Sequence, residues 1–192
     1  MKTKKRLIEE IILDHQKLVS EIGTASFQKS IEDVCLILKK TIKQNKKIIT
    51  CGNGGSAADS QHIAGELVGR FQKERRAIPC ISLTTNTSIL TAIGNDSCFE
   101  KIFSRQIEAL GEQGDILLAF STSGRSANIL EAAKTAKKRK IKVIAFTGAQ
   151  PNPLSKISDI CFSVPSQSTA RIQEIHIILI HTICQIIENE LF

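Results

Sequence analysis

The segment CGNGGSAADSQHIAGELVGRF, residues 51–71, decides the fold, because a glycine-rich turn in it joins an apolar run to a helical pattern. Glycines permit the tight backbone that leads from a buried strand into a helix. A turn that needs positive φ would explain these glycines, but it would not explain Asn53 and Ser56 beside them. His62 and Glu66 lie four residues apart, so their side chains project from one face of the helix. Such a pair could bind a divalent metal, act as an acid and a base, or form an exposed hydrogen bond.

The same alternation of apolar run, turn and helix continues outward along the chain. Two amphipathic helices, separated near Gly23, occupy the first 45 residues. Five short runs that are apolar on both faces are typical of buried parallel strands, namely KIITCG at 47–52, IPCISL at 78–83, DILLAFS at 115–121, VIAFTG at 143–148 and DICFSVP at 159–165. Helical patterns lie at about 57–71, 88–92, 99–110, 127–138 and 169–190. This alternation predicts a doubly wound α/β fold, in which helices flank a five-stranded parallel sheet and two extra helices precede it.

The composition is that of an ordinary globular chain. The 192 residues are 42% hydrophobic and 23% charged, which predicts one domain with a full core and excludes disordered, collagenous and coiled-coil classes. The formal charge of +7 is spread along the chain, and its basic runs at 2–6, 73–76 and 137–142 are typical of solvated helix faces and ends. Because the chain has no Trp or Tyr to stack on bases, no nucleic-acid partner is expected, and a small anionic substrate fits the charge as well.

Cysteine usage and hydropathy indicate the compartment. The six cysteines never form a C-x-x-C pair and each lies beside apolar residues, a pattern typical of reduced, mostly buried thiols in the cytosol. Glu9, Glu10 and Asp14 interrupt the first apolar run, which therefore does not resemble a signal peptide. No run approaches the 18 apolar residues of a membrane span. We therefore expect a cytoplasmic protein with no membrane partner.

Ligands of doubly wound sheets bind beyond the carboxyl ends of the strands, which singles out the loops 52–56, 84–88 and 121–126. The last loop, STSGRS, places four hydroxyls and a glycine directly before a helix, where free N–H groups and the helix dipole favour an anion. The loop therefore predicts a phosphate-binding site. The alternative is that it only forms a turn with a Ser/Thr N-cap. Neither Walker A nor G-x-G-x-x-G is present, so a nucleotide is not implied.

The final helical pattern carries further candidate residues. Within RIQEIHIILIHTICQIIE, residues 171–188, Gln173, Ile177 and His181 fall on one stripe. Polar side chains in an otherwise apolar helix need partners when they are buried. His176 points well away from His181, so we expect it to be a surface or structural histidine.

Four separated motifs resemble the phosphoheptose isomerase family, within the sugar-isomerase (SIS) domain superfamily. The motifs are CGNGGSAADSQHIAGELVGRF at 51–71, LTTNTSILTAIGND at 83–96, STSGRSANIL at 121–130, and ARIQEIH at 170–176 together with His181. The resemblance covers nearly the whole chain. It implies a flavodoxin-like SIS fold, a single SIS domain over 1–192 whose helical pair at 1–45 is used in oligomerisation, and a homotetramer with active sites at subunit boundaries. It also implies a cytoplasmic isomerase that converts sedoheptulose 7-phosphate to D-glycero-D-manno-heptose 7-phosphate, the first step of heptose precursor synthesis for lipopolysaccharide or another surface glycan.

The resemblance also implies roles for individual residues. Glu66 and His181 match the proposed acid–base pair, and His62, Glu66, Gln173 and His181 match the ligands of one Zn²⁺ per subunit. The positions that match contacts to the phosphate, the hydroxyls or the open chain of the sugar are Asn53, Gly54, Gly55, Ser56, Glu66, Asn95, Asp96, Ser121, Thr122, Ser123, Ser126 and Gln173. Arg125 and Ser168 depart from the family pattern, which more often has Asn at the first position and commonly an Asp near the second.

Two other functions stay open on sequence grounds. One is a non-catalytic SIS protein that binds the bacterial replication initiator, and the other is a SIS regulator or an isomerase of different phosphosugars. Moving a carbonyl from C2 to C1 requires a base and an acid on either side of the C1–C2 edge. A non-catalytic binder need not keep Glu66 or His181, so their presence together with Gln173 favours catalysis.

Overall fold

Five parallel strands form one sheet in the computed structural model, which describes residues 3–192. The strands are β1 (Ile48–Cys51), β2 (Cys80–Ser82), β3 (Ile116–Ser121), β4 (Lys142–Thr147) and β5 (Ile160–Ser163). Their order across the sheet is β2-β1-β3-β4-β5, and every neighbouring pair is parallel. This is the flavodoxin-like order, whose topological switch point lies between β1 and β3. The predicted doubly wound, five-stranded fold is confirmed.

Helices cover both faces of this sheet. They are α1 (Lys4–Ile22), α2 (Ala25–Lys43), α3 (Gly55–Val68), α4 (Thr87–Asp96), α5 (Ser104–Leu110), α6 (Ala127–Lys138), α7 (Pro153–Ile157) and α8 (Thr169–Leu191), with a 3₁₀ turn at Phe99–Lys101. The predicted N-terminal pair of helices is confirmed for the described residues, and the first two residues of the segment 1–45 lie outside them.

The central strand β3 shows why the apolar runs do not alternate with polar residues. Ile116, Leu118 and Phe120 pack into a cluster with α1, α2, α3 and α8, whereas Leu117 and Ala119 pack into a second cluster with α5, α6 and α7. All six residues of β3 are buried. A strand that is buried on both faces must be apolar at successive positions, which is the pattern that predicted the parallel sheet.

Helix α8 lies at the centre of the first cluster. Its length of 23 residues, and a mean hydropathy of 1.2 over an 18-residue stretch of it, would permit a membrane crossing by length and composition alone. Nine of its residues are buried, among them Ile175, Leu179, Ile183 and Ile187 of the core. The apolar character of α8 is thus explained by packing within the fold.

Helix α1 has a different environment. Leu18 is its one buried residue among those described, whereas Leu7, Ile8, Ile11, Ile12, Leu13 and Val19 are exposed. Polar contacts attach it to α8: Arg171 donates to the carbonyl oxygen of Ile11 at 3.1 Å, and Nδ1 of His15 lies 2.7 Å from a carboxylate oxygen of Glu174. Helix α1 therefore presents an apolar face that this subunit does not cover.

Several observed helices differ from those predicted; the helix expected at 88–92, for example, covers Thr87–Asp96. The helix expected at 57–71 begins at Gly55 and ends at Val68. The helix expected at 99–110 is divided into the 3₁₀ turn and α5, and the division lets the adjacent Ile102 and Phe103 both be buried. Helix α7 was not predicted, because five residues are too short to show helical periodicity.

All six cysteines are free thiols. Cys35, Cys51 and Cys184 are buried, and the other three are partly buried. Burial raises the pKa of the Cys51 thiol to about 12, so this thiol is neutral and unreactive at physiological pH. The expectation of reduced, largely buried cysteines agrees with this arrangement.

Candidate active site

The turn between β1 and α3 brings two helices together. Gly54 has a φ of +55°, a conformation that L-residues rarely adopt. A Cβ atom on Gly55 would lie 2.5 Å from Nε2 of Gln173. The absence of a side chain at this position therefore lets the amide of Gln173, on α8, lie against the first residue of α3.

Asn53 in this turn is paired with Asn128 in the first turn of α6. Each Nδ2 donates to the Oδ1 of the other residue at 2.8 Å, and Asn128 is buried. The pair fastens the β1 turn to the start of α6. Sequence reasoning expected Asn53 to contact sugar and did not find Asn128, whose only signal was an amide beside a hydroxyl-rich loop.

The loop after β3 has the geometry of an anion cradle. The N–H of Gly124 donates to the carbonyl oxygen of Ser121 at 2.9 Å, which closes a tight turn. Gly124 has a φ of +60°, and a Cβ there would lie 2.1 Å from Oδ1 of Asn152. Ser126 occupies the N-cap position of α6, yet its side chain makes no capping hydrogen bond within the described chain. Its hydroxyl instead lies 3.3 Å from that of Ser121, so the first-turn N–H groups of α6 face the loop without a side-chain cap.

These two loops enclose a cleft of about 310 Å³. Eight of the predicted substrate-binding residues line it, namely Asn53, Gly54, Gly55, Ser56, Ser121, Thr122, Ser126 and Gln173. Phe120 and Thr169 complete the lining and were not predicted. The cleft lies at the switch point between β1 and β3, where ligands of this topology bind.

A second cavity of about 340 Å³ adjoins the cleft and shares Thr122 and Thr169 with it. Ser123, the remaining predicted phosphate-loop residue, lines this second cavity together with Arg125. The hydroxyl of Ser123 accepts the N–H of Arg125 at 3.2 Å, which holds the loop in its curved form. Ser168, the other position that departs from the family pattern, is the N-cap residue of α8.

Helices α3 and α8 bring the predicted acid–base residues together. Nε2 of His62 lies 3.1 Å from Oε1 of Glu66 and 2.9 Å from Nε2 of His181. One ligand atom from each of these three residues lies within 4.8 Å of the others, so the group could hold a metal ion. The ring of Phe71 packs against His181, with 5.4 Å between ring centroids. Glu66 and His181 are therefore neighbours in space, although 115 positions separate them in sequence.

Asn95 and Asp96 are not brought to the cleft lining of this subunit. Both are exposed at the end of α4, and Nδ2 of Asn95 donates to Oδ1 of Asp96 at 2.8 Å. Their expected role in substrate binding stays a prediction.

Asp59, on the buried side of α3, is a carboxylate that sequence reasoning did not single out. It is 5% exposed, and its Oδ2 has no hydrogen-bond partner among the described residues. Burial raises the pKa of this carboxyl to about 6. A buried acid without a partner is uncommon, and this one lies one turn before His62.

His176 has a structural position. It is fully buried, its ring packs edge-on against Phe120 and Phe146, and its Nε2 lies 3.3 Å from the carbonyl oxygen of Thr147. Burial lowers the pKa of His176 to about 4, which keeps the ring neutral. The alternative of a surface histidine was wrong, because its helix face turns toward the sheet.

The sequence is similar to those of known proteins over nearly its whole length. A family model described as SIS domain matches residues 14–148. The phosphoheptose isomerase of Aliarcobacter butzleri is 48% identical over 188 residues, covering 98% of each chain. Phosphoheptose isomerase 1 of Campylobacter jejuni is 51% identical over 185 residues, covering 95% of this chain and 97% of the relative.

Solved structures agree with this relationship. The phosphoheptose isomerase of Neisseria gonorrhoeae superposes with a TM-score of 0.92 at 38% identity, covering 97% of this chain and all of the other. That of Francisella tularensis gives a TM-score of 0.94 at 34% identity, with 98% of this chain covered. Because both sequence and fold match from end to end, the chain belongs to the phosphoheptose isomerase family of SIS domain proteins.

Proposed function

We propose that this chain isomerises sedoheptulose 7-phosphate to D-glycero-D-manno-heptose 7-phosphate. The observation that carries the proposal is the meeting of Glu66 and His181, at 3.1 Å and 2.9 Å from the same His62 nitrogen, on helices that also border the anion cleft. Relatives about half identical to this chain bear the name of this activity. The enzyme is thus an aldose–ketose isomerase.

Proton transfer is the chemistry that these two side chains support. A base removes a proton from C1 of the ketose, the C1–C2 bond becomes an enediol, and an acid returns a proton to C2 as the carbonyl forms at C1. A carboxylate and an imidazole are the side chains most suited to this exchange, and a positioned acid or base contributes about 10²–10⁴-fold to the rate. Glu66 and His181 fill these roles.

The phosphate of the substrate occupies the cradle formed by Ser121, Thr122, Ser123 and Ser126. The unpaired N–H groups at the start of α6 and the hydroxyls of the loop suit a phosphoryl group. His62 follows Gly55 by seven residues on α3, which is about 10 Å of helix. The acid–base pair thus lies along α3, away from the end of that helix that borders the cleft, and binding the phosphate fixes the register of the reacting carbons.

The donor set fits a zinc ion. Two imidazoles and one carboxylate are typical ligands of catalytic zinc sites, and the ligand atoms of His62, Glu66 and His181 already lie within 4.8 Å of one another. We assign one Zn²⁺ per subunit to these residues, with the amide of Gln173 as a weak fourth ligand. When bound, the ion supplies Lewis-acid stabilisation of the enediolate oxygen.

Removal of the metal tests this assignment. Chelation should reduce turnover sharply while the thermal midpoint falls only modestly, because the two apolar clusters of the core do not depend on the ion. Zinc should restore turnover. If protein purified without chelator contains no divalent ion and added zinc changes neither rate nor stability, the three side chains act through hydrogen bonds alone.

Assembly and location follow from the same proposal. The exposed apolar face of α1 supports a homotetramer with active sites at subunit boundaries. Each subunit is a single SIS domain over 1–192, and its helical pair at 1–45 contributes to the contacts between subunits. The free thiols are consistent with the cytoplasm, where the product would supply heptose for lipopolysaccharide or another surface glycan.

The non-catalytic alternative, binding of the replication initiator, has no support in these observations. A binding protein would not require a carboxylate and two imidazoles to meet between distant helices. The relatives described above are isomerases by name.

Turnover by the purified protein decides between the two functions. We expect the aldose product from sedoheptulose 7-phosphate, detected by its anomeric NMR signals, and much slower conversion of sedoheptulose without the phosphate. Failure of the folded, zinc-supplied protein to convert the phosphorylated ketose would overturn the proposed function.

A further inference from the structure

A buried ion pair links the ends of the two helices that carry the acid–base residues. Nε of Arg75 donates to Oε1 of Glu188 at 2.8 Å, and the two side chains are 1% and 2% exposed. Arg75 lies between α3 and β2, and Glu188 lies in the last turn of α8. The side chain of Arg75 also lies under the ring of Phe192, 5.8 Å from its centroid. The pair is therefore enclosed within the subunit.

Arg75 holds the last turn of α3. Its Nη2 donates to the carbonyl oxygen of Glu66 at 2.7 Å, and its Nη1 donates to that of Leu67 at 2.9 Å. These are carbonyl groups that a helix leaves unpaired at its C-terminus, where the dipole favours a cation. The guanidinium thus fixes the backbone of the residue that carries the proposed catalytic carboxylate.

Glu188 holds the segment that leaves α3. Three successive backbone N–H groups, of Phe71, Gln72 and Lys73, donate to its carboxylate at 2.8, 2.8 and 3.0 Å. Burial alone would raise the pKa of Glu188, but these three N–H groups and Arg75 outweigh it and lower the pKa to about 2. The carboxylate therefore stays ionised throughout the physiological range.

The same carboxylate is rigidly connected to His181. Glu188 follows His181 by seven residues, which is about two turns, so both side chains lie on one face of α8. Phe71 connects them a second time, since its N–H bonds Glu188 while its ring packs against the imidazole of His181. The network therefore touches the backbone of one proposed catalytic residue and the ring of the other.

We propose that Arg75 and Glu188 are positioning residues for the isomerisation, setting the placement of the Glu66 carboxylate relative to the His181 imidazole. Neither residue borders the cleft, so both act through the helices that they join. The inference rests on the proposed function, because it assigns a task to the pair within that reaction. Displacement of a reacting group by about 1 Å can reduce turnover by about 100-fold.

The test compares Arg75→Lys and Glu188→Gln with a matched control. Lysine keeps the positive charge but lacks the planar fork that reaches Glu188 and two carbonyls at once. The control is Asp115→Asn, because Asp115 is equally buried and also accepts two backbone N–H groups and one cation, at 3.0, 2.8 and 2.7 Å. Asp115 precedes β3 at the amino end of the sheet, opposite the cleft.

We expect kcat to fall by about 10-fold to 100-fold in both test variants, with KM changed by less than about twofold, in protein shown by circular dichroism to be fully folded at the assay temperature. The control should lose comparable thermal stability and keep its kcat. Unchanged kcat in folded Arg75→Lys, or an equal loss of kcat in Asp115→Asn, would overturn the proposal and leave the pair as a stabilising contact only.

A second measurement does not depend on turnover. In protein labelled with ¹³C at histidine Cε1, the His181 resonance senses the ring of Phe71 and should shift in Arg75→Lys but not in Asp115→Asn. If the unaltered protein lacks isomerase activity but the His181 resonance still shifts in Arg75→Lys, the proposed function fails while the linkage holds. A resonance that stays unchanged in Arg75→Lys would contradict the linkage, whatever the activity.

Discussion

Glu66 illustrates how one side chain acquires its role from position rather than from type. The chain has many carboxylates, but Glu66 is the one that a helical spacing of four sets beside His62 and that a second helix brings near His181. Sequence spacing predicted the first relation. The second relation depends on how α3 and α8 pack, and only the family resemblance indicated it.

Replacement of Glu66 by Gln should lower kcat by about 10²–10⁴-fold, because the amide cannot accept the substrate proton. The fold and the phosphate contacts should remain. His181→Gln should behave similarly, and the double variant should lose less than the sum of the two losses, since the residues act as a unit. Steady-state kinetics provide the measurement, with Glu108→Gln on the exposed surface of α5 as the control. Near-normal turnover of Glu66→Gln would remove Glu66 from the mechanism.

Asp59→Asn should change how stability depends on pH. The pKa of Asp59 is raised from 3.8 to about 6 in the folded chain, so folding becomes less favourable as pH rises through that interval. The Asn variant should therefore be more stable than the unaltered protein at pH 8, and this advantage should shrink at pH 4. His176, whose pKa is lowered to about 4, acts in the opposite direction and cancels when the two proteins are compared at each pH. Thermal midpoints at pH 4, 6 and 8 measure the effect; a pH-independent difference would show that the pKa of Asp59 is not raised by burial, and an advantage of the unaltered protein that grows toward pH 8 would show that Asp59 is ionised and paired.

Arg75 marks the limit of residue-level inference from sequence. It lies in the basic run 73–76, which is typical of a solvated surface, yet its side chain is 1% exposed. Its buried partner, Glu188, is 113 residues away, and no spacing rule connects them. The prediction of a solvated run was wrong at this position because a charge becomes buried when a specific partner is available.

Among the secondary-structure elements, the apolar runs predicted all five strands, and the central strands β1, β3 and β4 are buried almost throughout. The edge strands β2 and β5 are only partly buried, so their runs are shorter and less uniformly apolar. Helix ends were less predictable. Helix α3 ends at Val68, and Arg75 donates hydrogen bonds to the carbonyl oxygens of Glu66 and Leu67 in its last turn. Local sequence does not indicate this contact. Helix α7 has the signals Asn152 and Pro153 at its start, and a capping box confirms them, but its five residues carry no period.

The cradle loop should fail when its backbone is changed. Gly124→Ala places a Cβ on a residue with φ of +60° and 2.1 Å from Oδ1 of Asn152, so we expect a loss of about 1–3 kcal/mol of stability and weaker phosphate binding. The control is Gly94→Ala, whose Cβ would meet nothing nearer than 4.0 Å within a helix. Inorganic phosphate should raise the thermal midpoint of the unaltered and control proteins more than that of Gly124→Ala. Equal protection in all three would contradict the cradle assignment.

At the scale of the whole molecule, six large apolar side chains remain exposed on α1, which is more than a subunit of this kind leaves uncovered without a partner. The chain mass of 21.1 kDa gives about 84 kDa for four copies. We expect light scattering to report this mass. Ile8→Glu combined with Ile12→Glu should dissociate the assembly and reduce activity, because the sites are expected at subunit boundaries. A monomer at micromolar concentration would contradict the tetramer.

Isomerisation in D₂O tests whether Glu66 and His181 transfer the proton through an enediol. The base exchanges its proton with solvent while the enediol exists, so the aldose formed from sedoheptulose 7-phosphate should carry deuterium at C2, as read by ¹H NMR. Glu66→Gln should form product and incorporate label more slowly by the same factor of about 10²–10⁴. Rapid conversion in which the hydrogen at C2 of the aldose comes entirely from C1 of the ketose, with no deuterium incorporated, or undiminished labelling by Glu66→Gln, would contradict this mechanism.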